Sequence, residues 1–276
     1  MQTTVQEKQG QIAGLDTFWR EAPPREGHAP VLYVHGVPTS SDDWVDFLER
    51  TGGLAPDLPG FGRSAKPAQF DYSIDGYSDW LDAFLADRGA ERYSLVVHDW
   101  GGAALGLAQR APERLERLVI MNAAPLLPGY SWHRIARVWR TPLAGELFMG
   151  LSTRWGFRQL SREATVAPGP ASDEFIDRIW KYFDHGTQRA ILKLYRSAPA
   201  DSLAAAGQRL GEIRAPALIL WGAQDPYIDA PRFARAYAET LGGETRLELL
   251  EDASHWPWID RPDVVETVSS FLLETG

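Results

Sequence analysis

Val97-His98-Asp99-Trp100-Gly101-Gly102 is the stretch whose reading decides the fold of this chain. The residues before it, Tyr93-Ser94-Leu95-Val96-Val97, read as a buried strand. Those after it, Gly101-Gly102-Ala103-Ala104-Leu105, read as a helix start with little bulk near the turn. Such a sharp strand-to-helix turn holds its apex side chain out at the top of a sheet. The apex is Asp99, a carboxylate instead of a serine. Attack by a carboxylate on an acyl carbon makes an anhydride, with no evident gain. Attack on a saturated carbon makes an ester that water can later cleave. Asp99 therefore points to alkyl substrates carrying a leaving group, such as epoxides or haloalkanes.

Outward from this turn, strands and helices alternate. Pro30-Val31-Leu32-Tyr33-Val34 is a short strand ending at His35-Gly36-Val37-Pro38. Ser40-Ser41-Asp42-Asp43 caps a helix from Trp44 to Arg50. Gly53-Leu54-Ala55-Pro56 leads into Asp57-Leu58-Pro59-Gly60-Phe61-Gly62-Arg63-Ser64, a loop punctuated by Gly and Pro. Ser73 to Asp87 has a helical apolar rhythm, and the helix after the elbow runs to about Leu115. Strands are predicted at 118–121, 217–221 and 247–250, and helices at 231–241 and 262–274. Residues 1–9 read as poorly ordered and 11–20 as early strand material. This pattern predicts an α/β fold with a mostly parallel twisted sheet flanked by helices.

The alternation breaks between Pro125 and Ile213, where the chain reads as helical and rich in aromatics and arginine. That predicts a core from residues 1–124 and 213–276, and a helical cap from 125–212 over the sheet's carboxyl end. Aromatic lining suits a dry, apolar pocket. Most individual aromatics are expected to pack the cap onto the core.

Composition narrows the function classes. The 276 residues carry Asp+Glu 37 against Lys+Arg 28, a net charge of −9, and no basic tract, which argues against nucleic-acid binding. Cysteine is absent, so disulfides and thiolate metal sites are excluded. His28, His133 and His185 show no metal-ligand spacing, and no metal or cofactor is expected. No signal peptide and no membrane span are read, so a cytoplasmic location is the default. A homodimer is left open.

A carboxylate nucleophile needs a partner to hydrolyse the ester it forms. Asp225 sits just past the strand ending in Trp221, and His255 sits in a loop between a strand and the last helix. The chain order is nucleophile, acid, histidine. His255 would serve as general base on water, with Asp225 holding its ring and tautomer.

These motifs resemble those of α/β-hydrolases of the epoxide hydrolase and haloalkane dehalogenase group. The likeness rests on His35-Gly36-Val37-Pro38, Asp57 to Ser64, His98-Asp99-Trp100-Gly101-Gly102, Asp225 and His255. It implies the α/β-hydrolase fold and an oxyanion hole made by the backbone amides of Trp100 and Val37. By the same likeness, His35 and His98 are structural. The expected partners are a small apolar organic substrate and water.

The leaving group separates the two activities. An opening epoxide generates an alkoxide, whose basicity is close to that of hydroxide and calls for a proton donor. In the resembled epoxide hydrolases that donor is a pair of cap tyrosines, the second some thirty positions before the acid. Tyr195 stands there, and Tyr130 and Tyr182 are the substitutes for the first. A halide needs only N–H donors in an apolar slot. Trp100 would be one. Val37 has no side-chain donor, so Trp139 or Trp155 would supply the other. Epoxide hydrolysis ranks first, haloalkane dehalogenation second, and a ligand-binding protein without turnover third.

Overall fold

The computed structural model describes residues 4–166 and 171–274. Eight strands form one sheet in the order β1-β2-β4-β3-β5-β6-β7-β8. They are β1 (Gln6–Ile12), β2 (Leu15–Ala22), β3 (Val31–Val34), β4 (Gly53–Pro56), β5 (Tyr93–Asp99), β6 (Leu115–Ala123), β7 (Ala217–Gly222) and β8 (Thr245–Leu250). β3 to β8 run parallel, whereas β1 and β2 form an antiparallel hairpin that joins the sheet through β4. The mostly parallel sheet is as predicted.

The hairpin corrects two readings. Residues 6–9 belong to β1, where Lys8 faces Trp19 and Gln9 faces Phe18 across the ladder. A polar edge strand is stable here because its partner strand carries the buried side chains. The early strand material expected over 11–20 is divided between β1 and β2 by Ala13-Gly14, both with positive φ, which suits a two-residue hairpin turn. β4 is a strand that sequence patterning left in a loop, because four residues with Gly and Pro at the ends carry no period.

The helices are α1 (Val45–Thr51), α2 (Ile74–Asp87), α3 (Ala104–Arg110), α4 (Arg134–Arg140), α5 (Ala144–Gly150) and α6 (Arg154–Leu160). They continue as α7 (Asp173–Trp180), α8 (His185–Ser197), α9 (Ala200–Ala206), α10 (Ala230–Thr240), α11 (Pro257–Asp260) and α12 (Val264–Leu272). Ser73 caps α2 by accepting from the Gly76 amide, and Asp184 caps α8 by accepting from Thr187. The helix after the elbow stops at Arg110, and Leu115 already begins β6. Between Ala123 and Ala217 no strand occurs among the described residues.

Side chains alternate across the central strands and divide the core in two. Leu95 and Val97 of β5, Leu118 and Ile120 of β6, and Ile219 and Trp221 of β7 face α2, α3 and α10. Val96, Val119, Met121, Leu218 and Leu220 face the other way, against Phe47 of α1 and Val264, Val268 and Phe271 of α12. Both faces are covered, which explains why these strands are apolar throughout. The loops at the strands' carboxyl ends carry Val37, Asp99, Asn122, Asp225 and His255 to one edge of the sheet.

Candidate active site

Asp99 adopts φ 47° and ψ −123°, a strained conformation for a side chain with a Cβ. The surroundings impose it. A Cβ on Gly101 would run into the Val34 carbonyl, and one on Gly36 into the Asp99 side chain itself. Glycine at both positions lets the β3 loop and the elbow come together. That approach brings the Val37 amide to 2.6 Å from Asp99 Oδ1, and the Trp100 amide also donates to the carboxylate. The two proposed oxyanion-hole amides therefore converge on one carboxylate.

The other oxygen, Oδ2, lies 3.7 Å from His255 Nε2. His255 Nδ1 is 3.0 Å from Asp225 Oδ2. An ionised carboxylate only accepts, so Nδ1 carries the proton and Nε2 keeps its lone pair toward Asp99. Asp225 is held by the amides of Tyr227 (2.8 Å) and Ile228 (3.3 Å) and by Asn122 Nδ2 at 2.7 Å. The structure thus brings together the three residues that chain order alone nominated.

Burial raises the Asp99 pKa, against the opposing pull of His255 and the two amides. Burial lowers that of His255, but Asp225 and Asp99 outweigh it and the net shift is upward. Burial and the neighbouring His255 hold His98 well below the usual histidine range. Its neutral ring donates from Nε2 to the His255 carbonyl at 2.7 Å. His35 bonds the Gly36 carbonyl through Nδ1 and accepts from the Leu58 amide. Both rings brace loops, as expected from the sequence.

A cavity of about 570 Å³ opens above Asp99. Its walls include Val37, His133, Trp139, Phe148, Tyr195, Tyr227, His255 and Trp256. Tyr195, on α8, packs edge-on to Trp100 (5.1 Å between ring centres) and to Trp139 (4.9 Å). It also shares a side-chain hydrogen bond with Trp100. The Trp139 indole Nε1 is buried without a hydrogen-bond partner among the described residues. Trp155 stands at the rim and is largely exposed.

Two nominated tyrosines do not line this cavity. The Tyr130 hydroxyl donates to the Tyr227 carbonyl at 3.3 Å, and its ring packs on Trp132 and Phe233. Tyr182 lies against the Arg63 guanidinium at 4.7 Å. Proximity in sequence to the right helices did not determine which way these rings point. Conversely, Asn122, Trp132 and Tyr227 escaped the sequence reading. Trp132 stacks on Trp100 at 5.4 Å, and Tyr227 stands edge-on to His255 at 4.9 Å. Asn122 had a usable signal: a polar amide directly after the apolar run Leu118–Met121 of β6, next to the acid-bearing strand.

Residues 29–262 match the family model of the alpha/beta hydrolase fold. The chain is 30% identical over 266 residues to a haloalkane dehalogenase of Mycolicibacterium paratuberculosis, covering 88% of this chain and 83% of that protein. It is 30% identical over 273 residues to the cis-3-alkyl-4-alkyloxetan-2-one decarboxylase of Shewanella oneidensis, covering 89% and 82%. The crystal structure of haloalkane dehalogenase DbeA from Bradyrhizobium elkani superimposes with a TM-score of 0.83 at 25% identity, over 98% of both chains. With its elbow, its eight-stranded sheet and these relatives, the chain belongs to the α/β-hydrolase family, in the haloalkane dehalogenase-like group.

Proposed function

We propose that this hydrolase cleaves carbon–halogen bonds of apolar haloalkanes through an alkyl ester on Asp99. The carrying observation is the Asp99 carboxylate itself. Oδ1 is pinned by the Val37 amide, while Oδ2 lies on the His255 side under an apolar cavity. Asp99 Oδ2 attacks the carbon, and the halide departs with the bonding pair. His255 Nε2 then takes a proton from water, and the hydroxyl adds to the ester carbonyl. The Val37 and Trp100 amides, which already donate to this carboxylate, hold the resulting oxyanion. Collapse releases the alcohol, with one proton and one halide ion as net products. Asp225 keeps the His255 ring and tautomer in place throughout.

Halide is favoured over epoxide, which reverses the ranking drawn from the motifs. Among the relatives, haloalkane dehalogenases support this order. Of the nominated halide donors, Trp139 lines the cavity with an indole N–H that has no partner among the described residues, as has Trp256 in the same lining, whereas the Trp100 side chain is bonded to Tyr195 and does not line the cavity. Tyr195 is a reluctant acid: burial and the adjacent Asp99 charge hold its phenol well above the usual range. Epoxide opening stays as the second reading because Tyr195 does line the cavity. The inserted segment 125–212 then acts as the cap.

The test uses His255→Gln, in which the ester forms and stalls. Intact mass spectrometry after 1-bromobutane is expected to show Asp99 carrying a butyl group. Labelling by styrene oxide, with none by the bromide, would overturn the halide reading in favour of the epoxide one.

A further inference from the structure

Helices of this chain that begin on a side-chain cap use a small oxygen acceptor, with one exception among the described residues. Ser40, Ser73, Thr153, Ser172, Asp184 and Asp229 are the ordinary caps. His133 is the exception, accepting from the Ala136 amide of α4 through Nδ1 at 3.4 Å. Imidazole is outside the preferred N-cap set. Capping alone leaves the choice of histidine unexplained.

The ring also reaches the candidate site. His133 is half-buried and lines the cavity above Asp99. It packs on three other cavity walls: Tyr227 at 4.9 Å, Tyr195 at 6.3 Å and Trp139 at 6.4 Å between ring centres. Tyr227 in turn contacts the His255 ring, and Tyr195 the Trp100 ring. The imidazole thus stands one aromatic ring away from both the candidate base and the elbow.

Because Nδ1 accepts, a neutral ring carries its proton on Nε2. Burial and the nearby His255 lower the His133 pKa to about 4, so the ring is neutral where His255 can act as a base. Nε2 has no hydrogen-bond partner among the described residues. The side chains of Ile135, Trp139, Phe148 and Ile191 in the same lining offer no acceptor. A hydrocarbon chain that fills the cavity takes water from this N–H and returns nothing. A substrate that brings an acceptor escapes that loss, and a site with a fixed donor discriminates on this basis.

We infer that His133 Nε2 donates a hydrogen bond to an ether or carbonyl oxygen of the substrate. The site then prefers haloalkanes that carry such an oxygen a few bonds from the halogen over hydrocarbon halides of equal length. This rests on the carbon–halogen reading above and narrows its substrate class. His133 makes and breaks no bond; it positions the substrate and sets specificity.

The matched pair for the test is 2-bromoethyl propyl ether and 1-bromohexane, equal in length with one oxygen in place of a methylene. His133→Asn keeps an oxygen where Nδ1 caps α4 and loses the Nε2 position. His133→Gln keeps an N–H near Nε2 and loses the cap. The ether-to-alkane ratio of kcat/KM is expected to fall about fivefold in His133→Asn and to stay within about twofold of wild type in His133→Gln. Melting temperature is expected to order the other way, with the Gln variant lower. The same ratio is read from Kd in an Asp99→Ala background by tryptophan fluorescence, where neither bromide can react with the missing carboxylate. If the wild type releases no bromide from either compound, the carbon–halogen reading fails, and the Kd ratio alone decides the role of His133. A ratio unchanged in His133→Asn, by turnover or by Kd, would overturn the inference. So would a ratio that falls with melting temperature and is therefore lower in His133→Gln, since His133 would then be a cap and nothing more.

Discussion

At the scale of single residues, the division of labour between Asp99 and His255 yields separable outcomes. Asp99→Ala is expected to lower turnover by more than ~10³-fold, as removal of a covalent nucleophile does. Single turnover in ¹⁸O-water is expected to leave the label in Asp99 and none in the alcohol, because water attacks the acyl carbon. The pH dependence follows from the shifts. His255 must be neutral to accept a proton, and its pKa is raised above 6.5. Turnover should therefore be intact at higher pH and fall as pH drops through that raised value. Asp99, also raised, adds to the same acid limb, and the two titrate as a pair. A pH profile of kcat, with mass spectrometry showing ester accumulation on its acid side, checks this. A profile flat down to pH ~4 would contradict it.

At the scale of elements, the site depends on two loops packed face to face. The elbow after β5 and the loop after β3 meet at Gly36 and Gly101, where any Cβ collides. Gly36→Ala is expected to fold yet lose about 10²-fold in kcat, because it displaces the carboxylate it touches. Steady-state kinetics alongside a melting curve separates that loss from unfolding. Asp57 anchors the same region from the end of β4. Its buried carboxylate accepts from the Ser41 amide (2.8 Å) and the Arg63 amide (2.7 Å), with Arg63 and Asp42 completing an ion network. Asp57→Ala would leave the Ser41 and Arg63 amides without their acceptor, while the Arg63 guanidinium keeps Asp42. A loss of about 3 kcal/mol in urea unfolding is expected. The motif Asp57 to Ser64 was legible in the sequence, and in the fold it braces the β3 loop and is not among the residues lining the cavity above Asp99.

At the scale of the whole molecule, the sheet gathers the candidate catalytic groups at one edge and the helical insertion supplies apolar walls. An apolar cavity of about 570 Å³ rewards chain length. Each methylene added from bromopropane to bromohexane should raise kcat/KM about fourfold, corresponding to ~0.8 kcal/mol per buried CH₂, until the cavity is full. A flat or falling series would mean that substrate does not occupy this cavity. The sequence reading also succeeded unevenly at this scale. The alternation of Val, Leu and Ile strands with capped helices announced a doubly covered sheet, since such strands must be apolar on both faces. The polar β1 and the four-residue β4 carried no comparable period, and they form because neighbouring strands offer a ladder.

The proposed covalent chemistry is read from the chain itself. An aspartate between a buried strand and a pair of glycines, followed in order by an acid and a histidine beyond strand ends, can serve one kind of mechanism. Those residues are tied to strand termini, and parallel strands deliver their termini to a common edge. Side-chain direction in the insertion was decided only by tertiary packing. Tyr195 and Trp139 face the cavity, Tyr130 and Tyr182 turn away, and Trp155 stands in solvent. A helix presents every aromatic it carries to some direction. Which direction becomes the inside is set by the partner it packs against, and that partner lies far away in sequence.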